Sequence, residues 1–145
     1  MFSFSKKTLF PGLALIAAGV LSGCSTGQET VARLTSEAEK GNVESMVKVA
    51  EMYCGGSTIE QDDQICGMWM KRAAEMGHIR AQYMLGRMYE LGLGMRPDPV
   101  QAYKWYSLAF AQGYQMAGTG AKDMWTVLTP QQQAEAKKLV AESKK

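Results

Sequence analysis

Three cysteines, one histidine and eleven methionines are the soft or titratable side chains that could carry chemistry in this chain of 145 residues. Cys54 and Cys66, with His78 as the single histidine, could make a disulfide, a pair of free thiols or part of a zinc site. Zinc normally takes four ligands of this kind, and only three are present. His78 lies at a turn and reads as a turn or capping residue. Asp62 and Asp63 are adjacent acids in a polar stretch, where carboxylates are usually solvated. Gly92-x-Gly94 lacks the preceding strand and the third glycine of a nucleotide-binding loop. Ten methionines fall between Met46 and Met124. Thioethers bind Cu(I), and Met84 with Met88 lie one helical turn apart; methionine also fills irregular helical cores and adaptable binding surfaces. These residues assemble no catalytic centre, so no cofactor, no metal and no enzymatic activity are expected.

Cys24 stands apart from the other two cysteines. Lys6 and Lys7 precede an apolar run from Leu9 to Leu21, and small residues follow in Leu21-Ser22-Gly23-Cys24. A basic start, a short apolar core and small residues before a cleavage point make an export signal. The run falls short of the roughly 20 apolar residues that a spanning helix needs. Leu21 to Cys24 resembles the bacterial lipobox, which implies cleavage after residue 23 and lipid on Cys24. Ser25 in second place is compatible with delivery to the outer membrane, facing the periplasm. Several acyl chains hold a protein firmly where a single one does not.

An exported chain from residue 24 onward has one domain's worth of length. Loss of Lys6 and Lys7 from the 16 basic residues balances them against the 14 acidic ones. A neutral domain has no electrostatic reason to bind nucleic acid. Lys137, Lys138, Lys144 and Lys145 cluster at the end, where basic side chains complement a helix dipole. In an oxidising compartment Cys54 and Cys66 favour a disulfide over free thiols or a metal site.

The element that must position these side chains is a repeat. Shifted by 36 residues, Gly41 falls on Gly77, Val49 on Leu85, Met52 on Met88, Tyr53 on Tyr89, Gly56 on Gly92, Asp62 on Asp98, Trp69 on Trp105, Ala73 on Ala109 and Gly77 on Gly113. A unit of about 36 residues is the size of a helix-turn-helix repeat. In the second copy Ala81, Leu85, Met88 and Tyr89 form an apolar stripe on a helix A from about Arg80 to Glu90. Gly86 within it costs up to about 1 kcal/mol against alanine, which predicts the close approach of a neighbouring helix. Asp98 caps a helix B from Val100 to about Gln112, with Pro99 at its first position and Ala102, Trp105, Tyr106 and Ala109 buried. The first copy repeats this with Ser45, Val49, Ala50, Met52 and Tyr53, then Cys66, Trp69, Met70 and Ala73. Its loop lacks the two prolines of the second, and a Cys54–Cys66 bridge would hold it closed.

The units resemble Sel1-like repeats, relatives of the tetratricopeptide class, through Ala81, Leu85, Gly86, Tyr89, Gly92, Gly94, Asp98, Ala102, Trp105, Tyr106, Ala109 and Gly113. Copy one departs from the pattern at Ser45, Ala50 and Cys66. The resemblance implies an all-α, short α/α solenoid of helix-turn-helix repeats with a C-terminal capping helix, about six helices in antiparallel pairs. The expected organisation is a signal peptide at 1–23, a lipidated N-terminus and start of a cap at 24–37, and a repeat region at 38–128. Within that region repeats cover about 41–76 and 77–112, with a partial repeat at 113–128. Thr129-Pro130-Gln131-Gln132 starts the capping helix and tail of 129–145. The resemblance further implies an adaptor that offers a concave surface to an unidentified envelope protein or peptide. Gln82, Tyr83, Met84 and Arg87 on helix A of copy two, Lys48 and Glu51 on copy one, and Tyr114 are the expected contact residues. Two other readings stand beside it: an envelope enzyme or binding protein acting on peptidoglycan fragments or β-lactams, and a mainly structural lipoprotein.

Overall fold

A computed structural model describes residues 25–57 and 59–144. The expected signal segment, its lipobox and Cys24 lie outside the described residues. Seven α-helices and no strand occur among the described residues, one helix more than the repeat arithmetic suggests: α1 Ser25–Glu39, α2 Val43–Gly55, α3 Asp63–Glu75, α4 Ile79–Leu91, α5 Pro99–Ala111, α6 Gln115–Val127 and α7 Pro130–Glu142. No described helix is long and apolar enough to cross a membrane.

The repeat register reappears as repeated capping chemistry. Asp62 and Asp98 cap α3 and α5, each accepting hydrogen bonds from two backbone N–H groups of the first turn. These are the N-terminal donors that a helix cannot satisfy internally. Asn42 caps α2, and His78 caps α4 by accepting the Ala81 N–H on Nδ1 at 3.2 Å. His78 is therefore the capping residue that its place at the turn predicts. Gly41, Gly77 and Gly113 turn the chain between units with φ of 95°, 87° and 97°. At the far end, Thr129 and Gln132 form the reciprocal capping box that opens α7, with Pro130 in its first turn.

Hairpins α2–α3 and α4–α5 stack so that each interior helix touches neighbours on both sides. One core runs from Leu34 and Ala38 in α1 through Trp69, Met70, Leu85 and Met88 to Trp105 and Leu108. The two tryptophans are equivalent by register and almost equally buried, at 4% and 5% exposure. In α1, Arg33 replaces the tryptophan and pairs with Glu37 at 2.6 Å in solvent, as suits a terminal cap. Ser45, unusual for its repeat position, is buried and donates its hydroxyl to Glu37 at 2.8 Å, which ties the cap to α2. That hydroxyl, with Arg33 beside it, holds the Glu37 carboxyl below its usual range.

Gly86 meets the expectation set for it. A Cβ there would lie 2.7 Å from the ring of Tyr106 in α5, and one at Gly120 in α6 would meet the same ring from another side at 2.7 Å. Tyr106 is 2% exposed and cannot retreat easily. Gly86→Ala should therefore cost about 1–3 kcal/mol by overpacking, despite the helix propensity that alanine adds. Urea denaturation checks this; a gain near 1 kcal/mol would show that propensity wins and that the packing is loose.

The two A–B loops share a backbone plan. Asp62 N–H donates to Tyr53 O at 3.0 Å, and Asp98 N–H donates to Tyr89 O at 2.9 Å. Register places Gln61 where copy two has Pro97, and Asp63 where it has Pro99. Cys54 and Cys66 are joined across the proline-poor loop, with Cα atoms 5.4 Å apart. Gly94, at φ +66°, lets the second loop lie against the first turn of α3 in the other hairpin, where a Cβ would collide with the Asp63 carbonyl at 2.0 Å.

Candidate partner-binding surface

The seven residues expected to contact a partner do not form one exposed face. Lys48 is exposed, 4.0 Å from Glu44 on its own helix. Glu51 is engaged across the stack, 2.9 Å from Arg80 of α4. Tyr83 is half-buried, with its ring 5.8 Å from Tyr106 and 4.8 Å from Tyr114. Tyr114 occupies the N-cap position that Asn42 and His78 hold in the earlier units, but its side chain makes no capping bond and packs on Tyr83 instead. Met84 is half-buried against the main core. Arg87 is exposed and makes no ion pair among the described residues.

Gln82 corrects the expectation that it faces outward. It is 5% exposed, its amide donates to Ala74 O at 3.2 Å, and its carbonyl accepts from Gln112 Nε2 at 2.7 Å. It bridges α3, α4 and α5, at a position where copy one buries Met46. Assigning a single apolar stripe to α4 missed this because an interior solenoid helix is covered from two sides, which widens its buried arc beyond one face.

Register exposes a difference between the two copies. Glu51 and Arg80 link α2 to α4; one unit on, the same positions are Arg87 and Met116. Met116 is 63% exposed. Among the described residues the ion pair is thus absent at the second step, where an exposed guanidinium and an exposed thioether lie on the helix-A side of the stack. Arginine and methionine are both enriched at protein interfaces.

Recesses open on either side of α7, where it lies against α5. One, of about 630 Å³, is lined by Gln82, Lys104, Trp105, Leu108 and Gln112 among others. Lys104 lies over the Trp105 ring, 4.3 Å from its centroid, and burial lowers the pKa of its ammonium despite the attraction of Glu75. The other, of about 660 Å³, lies between α6 and α7. Sequence reading missed both, because their walls come from helices far apart in the chain. It also placed the terminal lysines at a helix dipole, but the last turn of α7 contains no basic residue.

No cluster of three histidine, cysteine, aspartate or glutamate side chains is placed for a metal among the described residues. Ser45-Met46-Val47-Lys48 has the Ser-x-x-Lys spacing of some acyl-transfer sites. Its serine is buried and bonded to Glu37, while its lysine is exposed and faces Glu44. The hydroxyl therefore has a carboxylate as its partner where that chemistry needs a basic lysine. Tyr106 donates to Glu90 Oε2, and burial followed by this bond raises its pKa far above the ordinary phenol value.

The family model for the Sel1 repeat matches residues 43–78 and 79–114. A Sel1 repeat protein from Oxalobacter formigenes, solved by crystallography, is 32% identical with a TM-score of 0.60, over 70% of this chain and 89% of its own. A protective antigen of uropathogenic Escherichia coli strains, displaying an SLR fold, is 30% identical with a TM-score of 0.73, over 78% of this chain and 24% of its own. Chitin synthase regulatory factor 3 of Schizosaccharomyces pombe is 30% identical, and chitin synthase regulator SKT5 of Saccharomyces cerevisiae is 34% identical, each over 68% of this chain. The chain spans only 11% and 15% of those two regulators. Continuous register, shared capping and the matched solenoids together make this chain a member of the Sel1 repeat family, an all-α scaffold of the kind that binds other proteins.

Proposed function

We propose that the protein is a lipid-tethered adaptor of the bacterial envelope, holding a protein or peptide partner against its repeat surface. The observation that carries the reading is the unpaired helix-A surface around Arg87 and exposed Met116, at the step where the first hairpin spends the same positions on an ion pair. Tyr83, one turn before Arg87 on α4, packs on Tyr114 at the start of α6 and joins the two helices that carry this surface. The tether rests on the lipobox-like Leu21-Ser22-Gly23-Cys24. Tethering raises local concentration, so an interface of modest affinity is sufficient.

Two measurements test the parts separately. Acyl labelling and intact mass should find lipid on Cys24 and cleavage before it, and Cys24→Ala should leave an unprocessed precursor. A Cys24→Ala protein that is processed and membrane-held as before removes the tether from the account. Photocrosslinking in cells from position 87 should yield a discrete protein adduct, and from Arg33 on the solvent side of the terminal cap it should yield none. Failure to obtain an adduct from position 87, with turnover of peptidoglycan fragments or a β-lactam by the purified protein, would replace the adaptor with an enzyme.

A further inference from the structure

The third helix pair does not close as the first two do. Hairpins α2–α3 and α4–α5 pack along their length, whereas α7 packs chiefly on α5. α6 and α7 meet at their connecting turn, where Gln133 Nε2 donates to Trp125 O at 3.1 Å and to Leu128 O at 3.4 Å. Farther along, Val140 of α7 joins the core around Trp105 and Leu108 and leaves α6 behind. The wedge between them is the recess of about 660 Å³, with Tyr103 and Phe110 of α5 in its lining.

Its chemistry is one-sided. Lys122 of α6, Lys137 in the middle of α7 and Lys144 just beyond its end line the recess, and no carboxylate does. Lys137 lies 4.8 Å from the centroid of the Trp125 ring, and neither Lys122 nor Lys144 makes an ion pair among the described residues. Glu142, the acid closest to Lys144 in sequence, is 3.9 Å from Lys138 and is absent from the lining, while Glu75 shares only the neighbouring recess with Lys144. Phe110 is 47% exposed. From residue 24 onward the chain is electrically balanced, so three convergent lysines over an aromatic floor are a local concentration of charge rather than a reflection of a basic protein.

We infer that this wedge is a docking site for an acidic protein segment. Its carboxylates would meet Lys122, Lys137 and Lys144, and one aromatic or aliphatic side chain would enter beside Phe110 and Trp125. The inference rests on the scaffold reading and gives one partner a chemical class. Complementary charge steers such a segment in and fixes its register, while the aromatic floor supplies desolvated area. A recess suits a peptide better than an anionic membrane, because a flat surface needs lysines that project outward.

The test uses the full chain and a fluorescein-labelled synthetic peptide of alternating glutamate and phenylalanine, read by anisotropy beside its glutamine–phenylalanine counterpart. The acidic peptide should bind, the glutamine peptide should bind at least about tenfold more weakly, and added salt should weaken the first selectively. Lys122→Gln/Lys137→Gln should lose at least about tenfold in affinity with unchanged helicity, because both side chains are exposed. Lys138→Gln, outside the wedge, should bind as the parent does. Equal binding of the two peptides, no binding of either, or indifference to the double substitution overturns the inference. So does retention on phosphatidylglycerol vesicles that depends on the same two lysines while the peptide does not bind. An adduct at position 87 that persists alongside any of these negative results leaves the adaptor standing and removes only this site.

Discussion

Trp105→Ala should destabilise the domain by about 3–5 kcal/mol, the cost of emptying an aromatic core site. The indole is 5% exposed and belongs to the core that joins both hairpins to α7. Lys104 covers one face of it, so the substitution also removes a cation–π contact. A domain of this size has about 5–15 kcal/mol in total, so the loss takes a large fraction of what holds the stack together. Denaturant unfolding followed by circular dichroism measures it. Trp69→Ala, at the equivalent and equally buried position, should fall in the same range. Trp125→Ala should cost less, because that ring is only half-buried between α6 and α7. A negligible loss at Trp105 would mean that the repeat's buried face has been misassigned.

The second large effect belongs to the Cys54–Cys66 bond. Closing a loop of about a dozen residues stabilises by roughly 3 kcal/mol in the chain-entropy account. Cys54→Ala/Cys66→Ala should therefore lower the melting temperature by about 10 °C. The first loop lacks the two prolines that stiffen the second, and each proline at a compatible position is worth about 0.4–1 kcal/mol. The bridge compensates for that loss. Gln61→Pro, at the position of Pro97, should recover part of the stability in the cysteine-free variant. Peptide mapping under non-reducing conditions, on protein recovered from cells with free thiols blocked, checks the pairing itself. Two thiols open to alkylation there would remove both the bond and the compensation.

The parts of the fold that depend on local chemistry were legible in the sequence. Asp98, Pro99 and the Thr129–Gln132 box announce helix starts because capping needs particular side chains at particular offsets. The 36-residue register transfers those assignments to the first copy, and Gly86 marks a close approach that Tyr106 makes. Properties created by three-body packing were not legible. Gln82 sits at the edge of a helical stripe, and only the presence of α3 on one side and α5 on the other buries it. The wedge escaped because α7 packs on α5 and diverges from α6 beyond their shared turn, which no periodicity encodes. Lys122, Lys137 and Lys144 are distant in sequence and converge only after that departure. Ser45 shows the converse case: it breaks the repeat pattern because the terminal cap needs a hydrogen bond to Glu37.

The central claim is that the protein acts by holding a partner on its repeat surface, and Arg87 offers the most direct access to it. Photocrosslinking in cells from position 83, beside Arg87 on α4, should be compared between the parent and Arg87→Glu, with the helicity and melting of both purified proteins recorded. The account predicts a single protein adduct in the parent that is lost in the charge-reversed variant while folding is unchanged. An adduct of equal yield in both would contradict it, as would the absence of any adduct from the folded parent protein.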